Sequence, residues 1–200
     1  MKGLFIDFYD SFSQNIIDEF NDQNLIIDSI FWDDKFLSEK INKKIYSFIA
    51  LGPGPGHVSD YKEIYDLIES ILRSDKQVIG FCLGHQLIAN VLGYPLVQLD
   101  RPLHGKSLPV AFTNQFLDKE AIKKVQFYNS WYVDVGEDKN KNFLVTDINS
   151  KRILCGLRGR NHLSYQFHPE SVGTSCPSDF FSFIKEFLYN KSDVRTQTKI

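Results

Sequence analysis

Short apolar runs alternate along this chain with longer stretches in which apolar side chains recur every third or fourth position. That is the pattern of strands buried between helices. Residues 3–7 read as a first strand, and Asp10 or Ser11 is placed to cap a helix carrying Phe12, Ile16 and Phe20 on one face. Residues 25–31 and 48–51 read as the second and third strands. The run Gly52-Pro53-Gly54-Pro55-Gly56 fits no regular element and predicts a rigid loop at the carboxyl end of the third strand. Asp60 with Glu63 makes a capping box, opening a helix that aligns Tyr61, Ile64, Tyr65, Ile68, Ile71 and Leu72. Residues 77–81 form the fourth strand, and Leu83, Leu87, Ile88, Val91 and Leu92 mark a helix stopped by Gly93.

Residues 95–157 are less periodic, although alternation over 131–135 and 143–147 predicts a mixed or antiparallel extension of the sheet. Residues 164–167 form a last short strand leading to His168-Pro169-Glu170. Pro177 sits in the first turn of a closing helix with Phe180, Phe181, Ile184, Phe187 and Leu188 inward. The expected fold is α/β and three-layered, a mostly parallel central sheet flanked by helices with a small antiparallel extension. It makes one domain over 1–190, followed by a polar tail over 191–200.

Composition narrows the chemistry. A chain of 200 residues buries a core without staples. Its net charge of -2 and scattered lysines offer no basic stripe for nucleic acid. Three irregularly spaced cysteines make no disulfide framework, which points to a reducing compartment. Acidic residues follow the N-terminus too soon for a signal peptide, and no apolar run approaches the ~20 residues that span a bilayer. A cytoplasmic protein with no nucleic-acid or membrane partner is expected. The Asn190-Lys191-Ser192 sequon is read as chance.

Gly80-Phe81-Cys82-Leu83-Gly84 places a cysteine at a strand-to-helix turn, where flanking glycines relieve crowding and the helix N-terminus favours thiolate. Cys82 is the candidate nucleophile; Cys155 and Cys176 read as inert small hydrophobes. A nucleophile needs a base and an orienter for that base. His168 and Glu170, two apart on an extended backbone, supply both at a strand end, against the blander reading of two adjacent surface groups. The loop over 52–56 lacks phosphate-cradle spacing, and its prolines remove donors. With the Leu83 N–H it suits an oxyanion hole. A Cys82–His85 metal pair has no second ligand cluster behind it, so no metal is expected. His57, His104 and His162 read as surface groups, Asp33-Asp34 as a solvated turn, and the phenylalanines as core.

Six segments together resemble the class I (triad-type) glutamine amidotransferases over nearly the whole chain: 7–12 (DFYDSF), 51–56 (LGPGPG), 80–86 (GFCLGHQ), 104–106 (HGK), 128–131 (YNSW) and 166–171 (QFHPES). The first and fourth favour the branch whose synthases aminate chorismate. The resemblance implies Cys82 as nucleophile, His168 as general base and acid, Glu170 as its orienter, and backbone groups of Gly54 and Leu83 as the oxyanion hole. Gly56, Gln86 and backbone atoms near Ser130 and Trp131 would hold glutamine. The implied reaction forms a γ-glutamyl thioester and ammonia, without a cofactor in this subunit. Ammonia then passes to a chorismate-binding synthase subunit of the anthranilate type or, alternatively, of the aminodeoxychorismate type, or to both. A non-catalytic scaffold and a stand-alone hydrolase are the rivals; the intact triad opposes the first. Four positions depart from the family pattern: Phe8 for Asn, Gly52 for Ser, Asn129 for His and Trp131 for Leu.

Overall fold

A computed structural model describes residues 1–138, 140–148 and 151–190. The polar tail expected over 191–200 lies outside the described residues, as does the end of the sequon. A seven-stranded sheet runs in the order β2-β1-β3-β4-β11-β10-β9. Its five parallel members are β1 (Lys2–Asp7), β2 (Ile26–Phe31), β3 (Phe48–Leu51), β4 (Gln77–Phe81) and β11 (His162–Tyr165). The antiparallel extension is β10 (Lys151–Arg158) and β9 (Phe143–Ile148).

Successive side chains of the parallel strands go to opposite faces, and each face meets its own helices. Phe5, Phe48, Ile79 and Phe81 pack with Ile16 and Phe20 of α1 (Ser13–Asp22) and with Phe180, Phe181 and Ile184 of α5 (Pro177–Tyr189). Leu4, Ile6, Ile49 and Leu51 pack with Ile68 and Ile71 of α3 (Tyr65–Arg73) and Leu87 and Ile88 of α4 (Leu83–Val91). A short α2 (Leu37–Ile41) joins the second group through Leu37 and Ile41. Helices on both faces of a mostly parallel sheet give the three layers expected.

Several local expectations shift. Phe12, not Asp10 or Ser11, holds the cap position of α1, because the Asp10 carboxylate is engaged by the Phe12 N–H at 2.8 Å. The capping box is His57 with Asp60: the Asp60 carboxylate accepts the His57 N–H at 2.8 Å, and His57 Nδ1 accepts from Ser59. Winding therefore starts as a 3₁₀ segment, Val58–Ile64, as soon as the Gly56 turn at φ +77° ends. Leu92 is exposed beside Gly93 at φ +94°, since α4 has already stopped. Phe31 and Phe36 are exposed as well. The last parallel strand closes at Tyr165, two residues earlier than its apolar pattern suggests.

The middle third holds more structure than its periodicity signals. β5 (Leu96–Gln98) pairs with β8 (Trp131–Val133), and β6 (Lys106–Phe112) with β7 (Ala121–Phe127), each as a separate antiparallel ribbon. The β6–β7 ribbon inserts Phe112 and Phe127 against Phe167 and Phe180. Its other face stays outside, with Ile122 76% exposed. No described helix is long and apolar enough to cross a membrane.

Candidate active site

The carboxyl ends of β1, β3, β4 and β11 face the same way, so the loops that follow them meet at one sheet edge. β4 ends at Phe81 and α4 begins at Leu83, leaving Cys82 alone to make the turn. It does so at φ +48°, ψ −101°, a conformation L residues rarely hold unless the surroundings over-determine it. Here they do. The Cys82 N–H donates to the Tyr165 carbonyl at 2.8 Å, and the Gly84 N–H to the Gly52 carbonyl at 3.1 Å. A Cβ on Gly84 would collide with the Leu51 carbonyl, and one on Gly80 would lie 2.6 Å from Ile88. The glycines on either side of Cys82 are thus required by close approach.

His168 and Glu170 arrive together, but only His168 is paired, in an isolated antiparallel bridge with Gln126, and the chain turns at Pro169 and Glu170. The His168 N–H donates to the Gln126 carbonyl at 2.8 Å, its carbonyl accepts from Thr174 Oγ1 at 2.7 Å, and Gln126 Oε1 accepts the Gly173 N–H at 2.9 Å. This clasp folds Glu170 back so that Oε1 lies 2.7 Å from His168 Nδ1, leaving Nε2 to face the Cys82 sulphur. Phe12 and Tyr128 cover the imidazole edge-on, each 5.0 Å away. Burial alone would pull the His168 pKa down, but the Cys82 sulphur and the Glu170 carboxylate outweigh it and hold the imidazole well above its ordinary value. Glu170 Oε2 has no hydrogen-bond partner, so this buried carboxylate relies on His168 for compensation.

Cys82 opens into a cavity of about 520 Å³ whose lining includes Gly54, Gly56, Leu83, Gln86, Ser130 and Trp131. A Cβ on Gly54 would lie 2.5 Å from the Phe8 Cβ and 2.6 Å from Leu83 Cδ2, so this loop seats directly against the elbow. Phe8 is fully buried and meets the Tyr61 ring edge-on at 5.2 Å. A packed ring thus occupies the position where the family pattern carries Asn. Two histidines read as surface groups also line the cavity: half-buried His57 packs on Trp131 at 4.5 Å, and exposed His104 places Nε2 3.0 Å from Ser130 Oγ. His162 lies half-buried on β11, its pKa pushed down to about 4 by burial.

His85 does not join Cys82. It is fully buried with Nδ1 2.9 Å from Ser164 Oγ, and burial drives its pKa down to about 3. Among the described residues no group of three or more His, Cys, Asp or Glu side chains could hold a metal ion. Cys155 is buried and its thiol pKa is raised by that burial; Cys176 is exposed at the head of α5, at φ +53°. Asp33 and Asp34 accept from the Tyr9 hydroxyl and the Phe36 N–H, as a turn would.

The model of the family "Glutamine amidotransferase class-I" matches residues 4–186 of this sequence. The chain belongs to that family. This amidotransferase is 32% identical over 194 residues to anthranilate synthase component 2 of Haemophilus influenzae, covering 94% of the chain and 98% of that protein. It is 27% identical over 197 residues to a putative aminodeoxychorismate synthase of Schizosaccharomyces pombe, covering 94% of the chain but only 26% of that longer protein. A putative GMP synthase subunit from Thermoplasma acidophilum shares the amidotransferase's fold, with a TM-score of 0.77, 15% identity and 98% of both chains covered.

Proposed function

We propose that this amidotransferase is the glutaminase subunit of a chorismate-aminating synthase, with Cys82, His168 and Glu170 as its triad. The observation that carries the reading is His168 held between the Glu170 carboxylate at 2.7 Å and the sulphur of a cysteine strained at φ +48°. The Cys82 sulphur attacks the side-chain amide carbon of glutamine, and the N–H groups of Leu83 and Gly54 receive the charge that develops on its oxygen. His168, kept cationic by Glu170 and the sulphur, protonates the amide nitrogen as the C–N bond breaks. Ammonia leaves behind a γ-glutamyl thioester. His168 then takes a proton from water as it attacks that ester, and glutamate departs with the thiol restored. The thiol supplies the nucleophile, so the chemistry calls for no cofactor or metal in this subunit.

Gly56, Gln86, Ser130 and Trp131 form the proposed glutamine-binding wall. Gln86 Nε2 already donates to the Trp131 carbonyl at 2.8 Å and to Gln166 Oε1 at 2.9 Å, so it has its carbonyl oxygen to offer. Asn129 Nδ2 also donates to that Trp131 carbonyl, at 2.9 Å, which engages both its lone pairs. The substrate's carboxylate therefore suits the N–H groups of this segment. Full-length likeness to anthranilate synthase component 2 favours the anthranilate type of partner. The aminodeoxychorismate type is the second reading, favoured by the relatives that carry that name. Free cysteines fit a cytoplasmic setting.

Reconstitution with each type of chorismate-binding synthase tests both parts. Cys82→Ala is expected to abolish glutamine-dependent amination while ammonia-dependent amination by the partner persists. Glutaminase activity retained by that variant would sink the mechanism, and full activity without any partner would favour a stand-alone hydrolase.

A further inference from the structure

β4 and β11 run side by side in register, with Ser164 opposite Gly80 and Tyr165 opposite Phe81. One step further along each strand come Cys82 and Gln166. The Gln166 N–H is held by the carbonyl of Cys155, the extra residue of a bulge in β10, at 2.9 Å. Its side chain is fully buried, and Nε2 lies 3.6 Å from the Cys82 sulphur, within hydrogen-bond range for so large an acceptor.

The direction of that amide is fixed by its neighbours. The Trp131 carbonyl can only accept, so Gln86 turns Nε2 toward it. The second hydrogen of the same nitrogen goes to Gln166, which must present Oε1 to receive it. Gln166 Nε2 is then left facing the sulphur. Reversing the Gln166 amide would set two NH2 groups against each other and a carbonyl oxygen against a nucleophile about to carry charge.

We infer that Gln166 is a positioning residue for Cys82: its amide, locked by Gln86, gives the sulphur a fixed N–H donor. The inference rests on the triad reading above and adds a fourth member to it. His168 both exchanges a proton and carries charge, whereas the Gln166 N–H stays put and favours the charged sulphur throughout. The titratable groups around Cys82 are His168 with Glu170 behind it, and His57, Asp60, His104 and Tyr128 across the cavity. None of them replaces the Gln166 donor. The lock also ties the sulphur to the cavity wall: displacing Trp131 releases Gln86, and with it the orientation of Gln166.

The test reads the thiol directly, without glutamine. In a Cys176→Ser background, which removes the exposed cysteine, the rate of Cys82 alkylation by iodoacetamide is followed from about pH 5 to 9. Gln166→Met keeps the volume and removes the donor. It is expected to move the inflection up by about one pH unit and to slow alkylation below the parental inflection by up to about tenfold. Gln86→Met frees the amide without deleting it and should move the inflection the same way by less. A folded Gln166→Met chain with the parental inflection overturns the proposal, whatever its melting temperature, since a purely structural role would alter only the latter. Should that variant not fold, an unmoved inflection in Gln86→Met overturns it instead. Failure of the parent to turn over glutamine would count against the triad reading alone.

Discussion

Two histidines are buried within a few residues of the same strand ends, and they are driven in opposite directions. His168, at the exit of β11, is held well above its ordinary pKa; His85, on the first turns of α4, is pushed down to about 3. Both are nearly or fully out of water. The difference lies in what each ring faces. His168 has a carboxylate on one nitrogen and the Cys82 sulphur toward the other, while His85 has a neutral hydroxyl. The two buried cysteines also differ in their surroundings. Cys155 lies in an apolar bulge where burial outweighs one backbone hydrogen bond from Thr146 and raises its thiol pKa, and Cys82 looks onto an imidazole, a helix N-terminus and an amide donor. Burial sets the stakes, and the partner sets the sign.

That contrast is open to attack at three points, the largest effect first. His168→Ala is expected to lower the glutamine hydrolysis rate at least about 100-fold, the scale of a positioned general base. A near-normal rate in a steady-state ammonia assay would mean that the ring's raised pKa has no catalytic use.

The second point is the acid limb of stability. A folded-state pKa near 3 against an unfolded value of 6.5 means that, below about pH 6.5, the unfolded chain takes up a proton that folded His85 refuses. Stability is therefore complete above that pH and falls as the pH drops toward 3. His85 alone should remove about 2–3 kcal/mol between about pH 6.5 and 4.5, and His162 adds to it. Urea midpoints across that range should fall in the parent and flatten in His85→Asn; equal slopes would show that His85 is not buried neutral. The smallest effect belongs to the inert cysteine. Cys155→Ser should cost about 1–2 kcal/mol in urea unfolding, as a hydroxyl replaces a thiol in an apolar site, and should leave glutamine turnover intact.

How much of this was legible in the sequence depends on how locally it is determined. β3 and β4 were readable to the residue, because strands buried along their whole length are mostly apolar, and β3 runs into Gly52-Pro53 while β4 runs into the Cys82 turn. Cys82 declared itself through the Gly80 and Gly84 spacing, although the close approach that requires Gly84 is to Leu51 on a different strand. The β6–β7 ribbon stayed hidden. It buries only one face, so Val125 and Phe127 are inside while Ile122 is out, and Pro109 and the lysines interrupt the pattern. His57 and His104 looked like surface residues, because nothing in their own segments reveals the Trp131 and Ser130 that come to meet them. Gln166 was visible as a letter in a motif and silent as chemistry. Its role depends on the register between two strands about eighty positions apart and on the orientation of a second amide.

The tight seat of Gly54 has a consequence for how this chain can change. Phe8, from the loop after β1, and Leu83, from the head of α4, close on the same α-carbon with no room for a methyl group between them. The position 8 contact is made by its Cβ, which every residue except glycine carries, whereas the position 83 contact is made by the tip of the leucine side chain. A side chain at position 54 therefore needs a shorter residue at position 83, and shortening position 8 alone would gain nothing there.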